Sequence, residues 1–231
     1  MTNEKRKPKV WFTSDTHFLH PSILYFYPKR RDAAGITLEE LREDKNLALE
    51  KETEWLINLW NERIHREDTI YIIGDFSLGN KAETEKILHR LHGKKYLIFG
   101  NHDKSCKGEN ERFFEWCGDL KEVKFTHSQF DFIDPSETFC VELCHYPLLT
   151  WNRRPHGTCM IHGHCHGSID SFNTSSKELR VDVGFDGTFG NYDFIDLETI
   201  YAYFCSIRDS GGCKTFQEYQ ELLMKKQGFR M

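Results

Sequence analysis

The sequence predicts an α/β fold in which two sheets of mixed strand direction pack as a sandwich flanked by helices. Two observations carry this. Up to about residue 100, apolar β-rich runs alternate with helical patterns, which favours parallel pairing. Beyond it, short apolar runs are separated by turn residues, which favours antiparallel or mixed strands. A third observation locates the chemistry: several of these runs end in Asp, Asn or His.

Val10-Trp11-Phe12-Thr13-Ser14 reads as a buried strand leading into Asp15-Thr16-His17. Residues 18–37, broken by Pro21, Pro28 and Gly35, read as irregular. Thr37 and Glu40 have capping-box spacing and open one long helix, with Leu41, Trp60 and Ile64 among its apolar positions. Thr69–Ile73 is a second strand, ending in Gly74-Asp75. Residues 81–92 read as a helix with Ile87, Leu88 and Leu91 on one face. Lys95–Phe99 is a third strand, ending in Gly100-Asn101-His102-Asp103. Runs near 121–126, 129–133, 138–144, 158–162, 179–183 and 199–205 complete the strands. A helix is expected over 214–226, with Phe216, Tyr219, Leu222 and Leu223 on one face.

The 231 residues suit one domain over 1–231, with a core over about 10–205 and a helical extension over 206–231. A net charge of −5 disfavours duplex nucleic acid as a partner. Mean hydropathy is −0.62, and no run of about 18 apolar residues exists, so no membrane span is expected. The basic N-terminus lacks the apolar stretch of about 7–15 residues that export needs, which predicts a cytoplasmic protein. Cysteines stand at 106, 117, 140, 144, 159, 165, 205 and 213. No pair has C-x-x-C spacing, so free thiols are expected rather than a ribbon or a disulfide framework.

Ligands of open α/β sheets bind beyond the carboxyl ends of strands. Each strand-end group is weak alone, since Gly-Asp commonly just makes a turn. The crowding of histidines over 156–166 is harder to dismiss, with Gly163 and Gly167 letting the backbone bend. The conjunction is stronger still. Asp15-Thr16-His17, Gly74-Asp75, Gly100-Asn101-His102-Asp103, His145 and Gly163-His164-Cys165-His166 occur in that order. This resembles the calcineurin-like metallophosphoesterases, and the flanks of these blocks resemble small bacterial and phage members.

The resemblance implies an αββα sandwich and two divalent or trivalent metal ions. Asp15, His17, Asp75 and His166 would hold one; Asp75, Asn101, His145 and His164 would hold the other. Imidazole, carboxylate and amide donors suit Mn, Fe, Zn or Ni, with Mn favoured. The implied reaction is hydrolysis of a phosphodiester or phosphomonoester by metal-activated water, on a small phosphorylated molecule or a nucleotide. The alternatives are a nuclease or a non-catalytic scaffold of the same fold. His102 would stabilise the transition state or protonate the leaving group. Asp103 either orients His102 or caps its own loop, and His162 is read as a supporting residue. His20 could face the metals. Arg30, Arg31, Arg153 and Arg154 either grip phosphate or are solvated surface cations. Trp151 either stacks on a base or belongs to the core.

Overall fold

The structure, a computed structural model, describes residues 6–175 and 179–210. Five strands form one sheet: β1 (Val10–Thr13), β2 (Thr69–Ile73), β3 (Lys94–Ile98), β4 (Trp116–Gly118) and, after the second sheet, β9 (Ile195–Asp196). Their order is β4-β3-β2-β1-β9, parallel except for β9 at the edge. The second sheet holds β5 (Leu120–Thr126), β6 (Thr138–Cys144), β7 (Cys159–His162) and β8 (Arg180–Asp182) in chain order. There β5 is antiparallel to β6, while β6, β7 and β8 are parallel. A parallel bridge between Ser14 and Gly184 joins the sheets just past β1 and β8.

Alternation decides which residues fill which layer. Phe12, Tyr71, Ile73 and Ile98 from the first sheet meet Phe139, Val141, Leu143 and Ile161 from the second in one core. The other face of the first sheet presents Trp11, Ile70, Ile72 and Leu97 to helices α4 (Lys45–Arg63) and α5 (Lys81–Leu88). The outer face of the second sheet is covered differently. Cys144 and Met160 pack under Trp151 and Leu148 of the loop after β6. The short helix α6 (Asp170–Ser175) packs beside β8.

Four expectations need correction. Residues 18–37 are not wholly irregular: α1 (Ile23–Phe26) and α2 (Pro28–Ala33) lie there, and Pro28 opens α2 at a position where its missing N–H costs nothing. The Thr37 capping box forms, but it opens only α3 (Leu38–Glu43). Asp44 is extended and starts α4 afresh, its carboxylate accepting the Asn46 and Leu47 N–H groups. Residues 129–133 form turns that carry Phe130 and Ile133 to the core. Residues 199–205 are helical, within α7 (Leu197–Ser210). The Asp196 carboxylate accepts the Thr199 N–H, and Ile200, Tyr203, Phe204 and Ile207 make one buried face. The helix expected over 214–226 lies outside the described residues.

Candidate metal centre

Parallel strands end on one side of a sheet, so the ends of β1, β2 and β3 lie together, as do those of β6 and β7. The loops are then sewn to each other. Asp15 N–H donates to Gly74 O and His17 N–H to Asp75 O, joining the first two loops. Gly163 N–H donates to His145 O, joining the loops of the second sheet. His164 N–H donates to Asp15 Oδ2 and links the two sheets. This contact explains Gly163. A Cβ there would stand 1.8 Å from Ser14 Oγ and 2.4 Å from Asp15 Oδ2, so close approach rather than bending excludes a side chain. Gly167, at φ 80°, does adopt the conformation that favours glycine.

Two clusters of ligand-type atoms result: Asp15, His17 and His166, and Asp75, His145 and His164. In the first, Asp15 Oδ1 lies 3.7 Å from His17 Nε2 and 3.5 Å from His166 Nε2, and the two imidazole nitrogens are 3.3 Å apart. In the second, His145 Nε2 lies 3.6 Å from Asp75 Oδ2 and 3.2 Å from Asn101 Oδ1. Asp75 Oδ2 is also 4.0 Å from His17 Nε2, so one oxygen faces both clusters. Its Oδ1 is taken by the His102 N–H at 2.8 Å. This carboxylate would be shared by two cations held at the clusters.

The surroundings suit cations. Asp15 Oδ2 accepts from Ser14 Oγ and His164 N–H, while its buried Oδ1 has no partner and points at the imidazoles. His145 Nδ1 sits 2.9 Å from Ile73 O and must donate to it, which turns the Nε2 lone pair toward Asp75. Lone pairs thus converge where a positive charge would satisfy them. Burial alone would raise the Asp15 carboxyl, but the neighbouring imidazoles of His17, His166 and His145 and the Ser14 hydroxyl hold it at about 2. Burial pushes His166 downward, toward the neutral imidazole that ligation needs. Asp15, His17, Asp75, His164 and His166 all have positive φ, between 46° and 68°. Such backbone is uncommon outside glycine and clusters at functional sites.

The supporting residues divide unexpectedly. Asp103 is fully buried and accepts the N–H groups of Asp75, Phe76 and Gly100. It therefore caps and joins two loops instead of orienting the His102 ring. His102 itself is exposed, with Nε2 4.0 Å from Asp75 Oδ2. His162 is buried between Gly163 O and Asn173, and Asn173 is held in turn by Arg180.

Two expected phosphate-gripping arginines stand elsewhere. Arg30 is fully buried; its guanidinium donates to Glu52, Asp186 and Thr16 O, which leaves nothing to offer a ligand. Arg153 lies with Lys124, Thr138 and His156 at the start of β7, whereas His162 ends that strand. Four residues of strand span about 13 Å, so Arg153 is at the wrong end of the sheet. Trp151 is core, donating its indole N–H to Thr158 O. His20 does lie at the centre, with its ring 5.7 Å from that of His17.

Asp186 and Tyr27 escaped the sequence reading. Asp186 Oδ2 lies 3.9 Å from His166 Nδ1, and burial pushes its carboxyl up to about 6 against the pull of Arg30. Tyr27 stacks on His166 with ring centroids 5.2 Å apart. Asp186 follows β8 much as Asp15 follows β1, and that parallel could have found it. Nothing in the sequence around Tyr27 marks it.

A third group, His162, Cys165 and Asp182, also has ligand spacing. Two of its three members are already engaged: both His162 nitrogens are partnered, and Asp182 accepts the N–H groups of Gly167 and Gly184.

The family model for calcineurin-like phosphoesterases matches residues 8–197. The Gene 66 protein of Mycobacterium phage D29 is 27% identical over 207 residues, covering 83% of this chain and 93% of the phage protein. An uncharacterized protein of Methanocaldococcus jannaschii is 29% identical over 181 residues, covering 76% and 81% respectively. A crystal structure of a protein of unknown function from Aquifex aeolicus shares the fold at a TM-score of 0.56 and 20% identity. It covers 84% of this chain and 98% of its own.

Proposed function

The chain belongs to the calcineurin-like phosphoesterases, and from that premise we propose that it hydrolyses phosphate esters at a pair of metal ions. Asp15, His17, Asp75 and His166 would hold one ion; Asp75, Asn101, His145 and His164 would hold the other. The observation that carries this is the convergence of two groups of ligand-type atoms that both face Asp75 Oδ2, with the buried Asp15 Oδ1 left without a partner in the first. When bound, the ions supply Lewis acidity toward the phosphoryl oxygens and acidify a water molecule. Mixed nitrogen and oxygen donors favour Mn, Fe, Zn or Ni over an all-oxygen site, with Mn the first choice.

The protein's own groups set the geometry. Asp103 fixes the two loops that carry Asp75 and Asn101. The His102 backbone is pinned to Asp75 Oδ1, and its exposed ring overhangs the pair. That ring would donate a hydrogen bond to a phosphoryl oxygen, or a proton to the departing alkoxide. His20 is a second donor: Ser22 N–H donates to its Nδ1, so the neutral ring carries its proton on Nε2. Burial lowers His20 to about 4, which keeps it neutral at pH 7.

No helix among the described residues is long and apolar enough to cross a membrane. The seven cysteines described are free, which suits the reducing cytoplasm. A non-catalytic scaffold has no use for His102 above a complete donor set. The test is hydrolysis of chromogenic phosphodiesters and phosphomonoesters with Mn²⁺ and with chelator. Wild type should turn over at least one ester only with metal. His102→Ala should lose about 10²- to 10⁴-fold in kcat while keeping its metal. Equal inactivity of both proteins with every metal would overturn the reading.

A further inference from the structure

Two exposed aromatic rings stand at opposite ends of the paired clusters. Phe26, at the end of α1, is 65% exposed. Its ring meets His20 edge-on at 5.8 Å between centroids, and His20 meets His17 at 5.7 Å. Tyr146, in the loop after β6, is 44% exposed. It packs edge-on against His145 at 5.0 Å and His164 at 4.9 Å. One ring therefore borders the Asp15 cluster and the other borders the Asp75 cluster. Neither belongs to a hydrophobic core cluster of the described residues. Single exposed aromatics are ordinary on a protein surface; what sets these two apart is that each packs edge-on against an imidazole of the centre.

A diester phosphate held at the clusters carries two substituents that leave the metals in different directions. A substituent gains from a neighbouring aromatic ring when it is itself planar with a π-face. Nucleobases meet that condition and gain both stacking and apolar burial, whereas sugars and alkyl chains gain apolar contact alone. The basic residues point the same way. Arg30 is spent on buried carboxylates and Arg153 lies a strand's length away, so neither arginine clamps phosphate at the centre. Recognition of the groups beyond the phosphate then falls to the rings.

Resting on the phosphoesterase reading, we propose that Phe26 and Tyr146 are stacking platforms that select a phosphodiester with a nucleobase on each side of the scissile bond. The bases must be free to stack, as in a dinucleotide or a single strand. A duplex hides its base faces and would be a poor substrate.

The experiment compares a dinucleotide with an analogue of the same backbone lacking both bases, using Mn²⁺-loaded protein. Wild type should favour the dinucleotide in kcat/KM by about tenfold or more. Phe26→Leu and Tyr146→Leu keep an apolar side chain at an exposed position and remove the ring. Each should raise KM for the dinucleotide by about 5- to 150-fold, a larger loss than on the base-free analogue. A dinucleotide containing 2-aminopurine should lose fluorescence on binding wild type and lose less on binding either variant. A longer single strand and a duplex, run in parallel, separate the two sources of free bases and should show the duplex as the worst substrate. If both small diesters are hydrolysed equally and the leucine variants change nothing, the stacking proposal falls and the phosphoesterase reading stands. If no ester is hydrolysed, that reading falls, and the 2-aminopurine signal alone decides the platforms: no difference between wild type and variants overturns them.

Discussion

The two halves of the centre are built to different depths. Around Asp15, His17 and His166 the wall is closed: two of the three are buried, and the His166 side chain is only 20% exposed. Tyr27 covers His166, and Arg30 braces the cluster twice, through Asp186 behind His166 and through the carbonyl of Thr16 between Asp15 and His17. Around Asp75 and His145 the carboxylate and one imidazole are buried, but His164, Asn101 and His102 face solvent. The difference separates two tasks. A closed cluster suits a cation that is held, and an open one suits a cation that must also meet substrate.

The largest effect should come where the halves touch. Asp75 Oδ2 faces both clusters, so Asp75→Asn should weaken both cations and cut turnover by at least about 10³-fold, or about 4 kcal/mol. Activity within tenfold of wild type, measured on the best chromogenic ester, would break the idea of a shared carboxylate.

Arg30→Met sharpens the distinction between the halves. It leaves the Glu52 and Asp186 carboxylates buried without their cation, which should cost about 3–5 kcal/mol in urea unfolding. It should also weaken metal binding at the closed cluster by about 10- to 100-fold and spare the open one. Calorimetric Mn²⁺ titration reads the two separately. An equal loss at both would erase the contrast.

The smallest effect acts on both halves through the loop they share. His162 lies behind the segment carrying His164 and His166, and burial lowers it to about 4. The unfolded chain binds its proton near 6.5. Stability from this group is therefore complete above about 6.5 and is lost as pH falls through about 4. The apoprotein should lose about 3 kcal/mol over that window, measured by urea unfolding at stepped pH. His162→Gln should flatten the profile. An unchanged slope in the variant would show that His162 does not carry the acid sensitivity.

Much of the centre was legible because its residues sit at strand ends in a distinctive order. Asp15, Asp75, Asn101, His102, His145, His164 and His166 were all visible in this way, and the fold brings them together. What failed is informative. Arg30 and Arg153 look alike in sequence, yet one is locked in a buried ion network and the other sits at the far end of a sheet. Asp103 could be a partner for His102 or a loop cap from sequence alone, and its hydrogen bonds make it a staple between loops. The run over 199–205 is rich in β-forming residues, but a cap at Asp196 and a buried face make it helical. In each case the deciding partner is distant in the chain or belongs to a competing local signal.

The sequence by itself determined the two-sheet class, the strand ends that carry Asp, Asn and His, and the imidazole, carboxylate and amide donors they offer. These follow from periodicity and residue type, which are local properties. Only the tertiary structure decided which oxygen of Asp75 faces both clusters, which cluster is closed, and which aromatic rings border it. Those are matters of burial and of contacts between segments up to 156 residues apart, such as Arg30 with Asp186. Spacing along a chain carries no record of them, because burial is a property of the packed layers and not of any one segment.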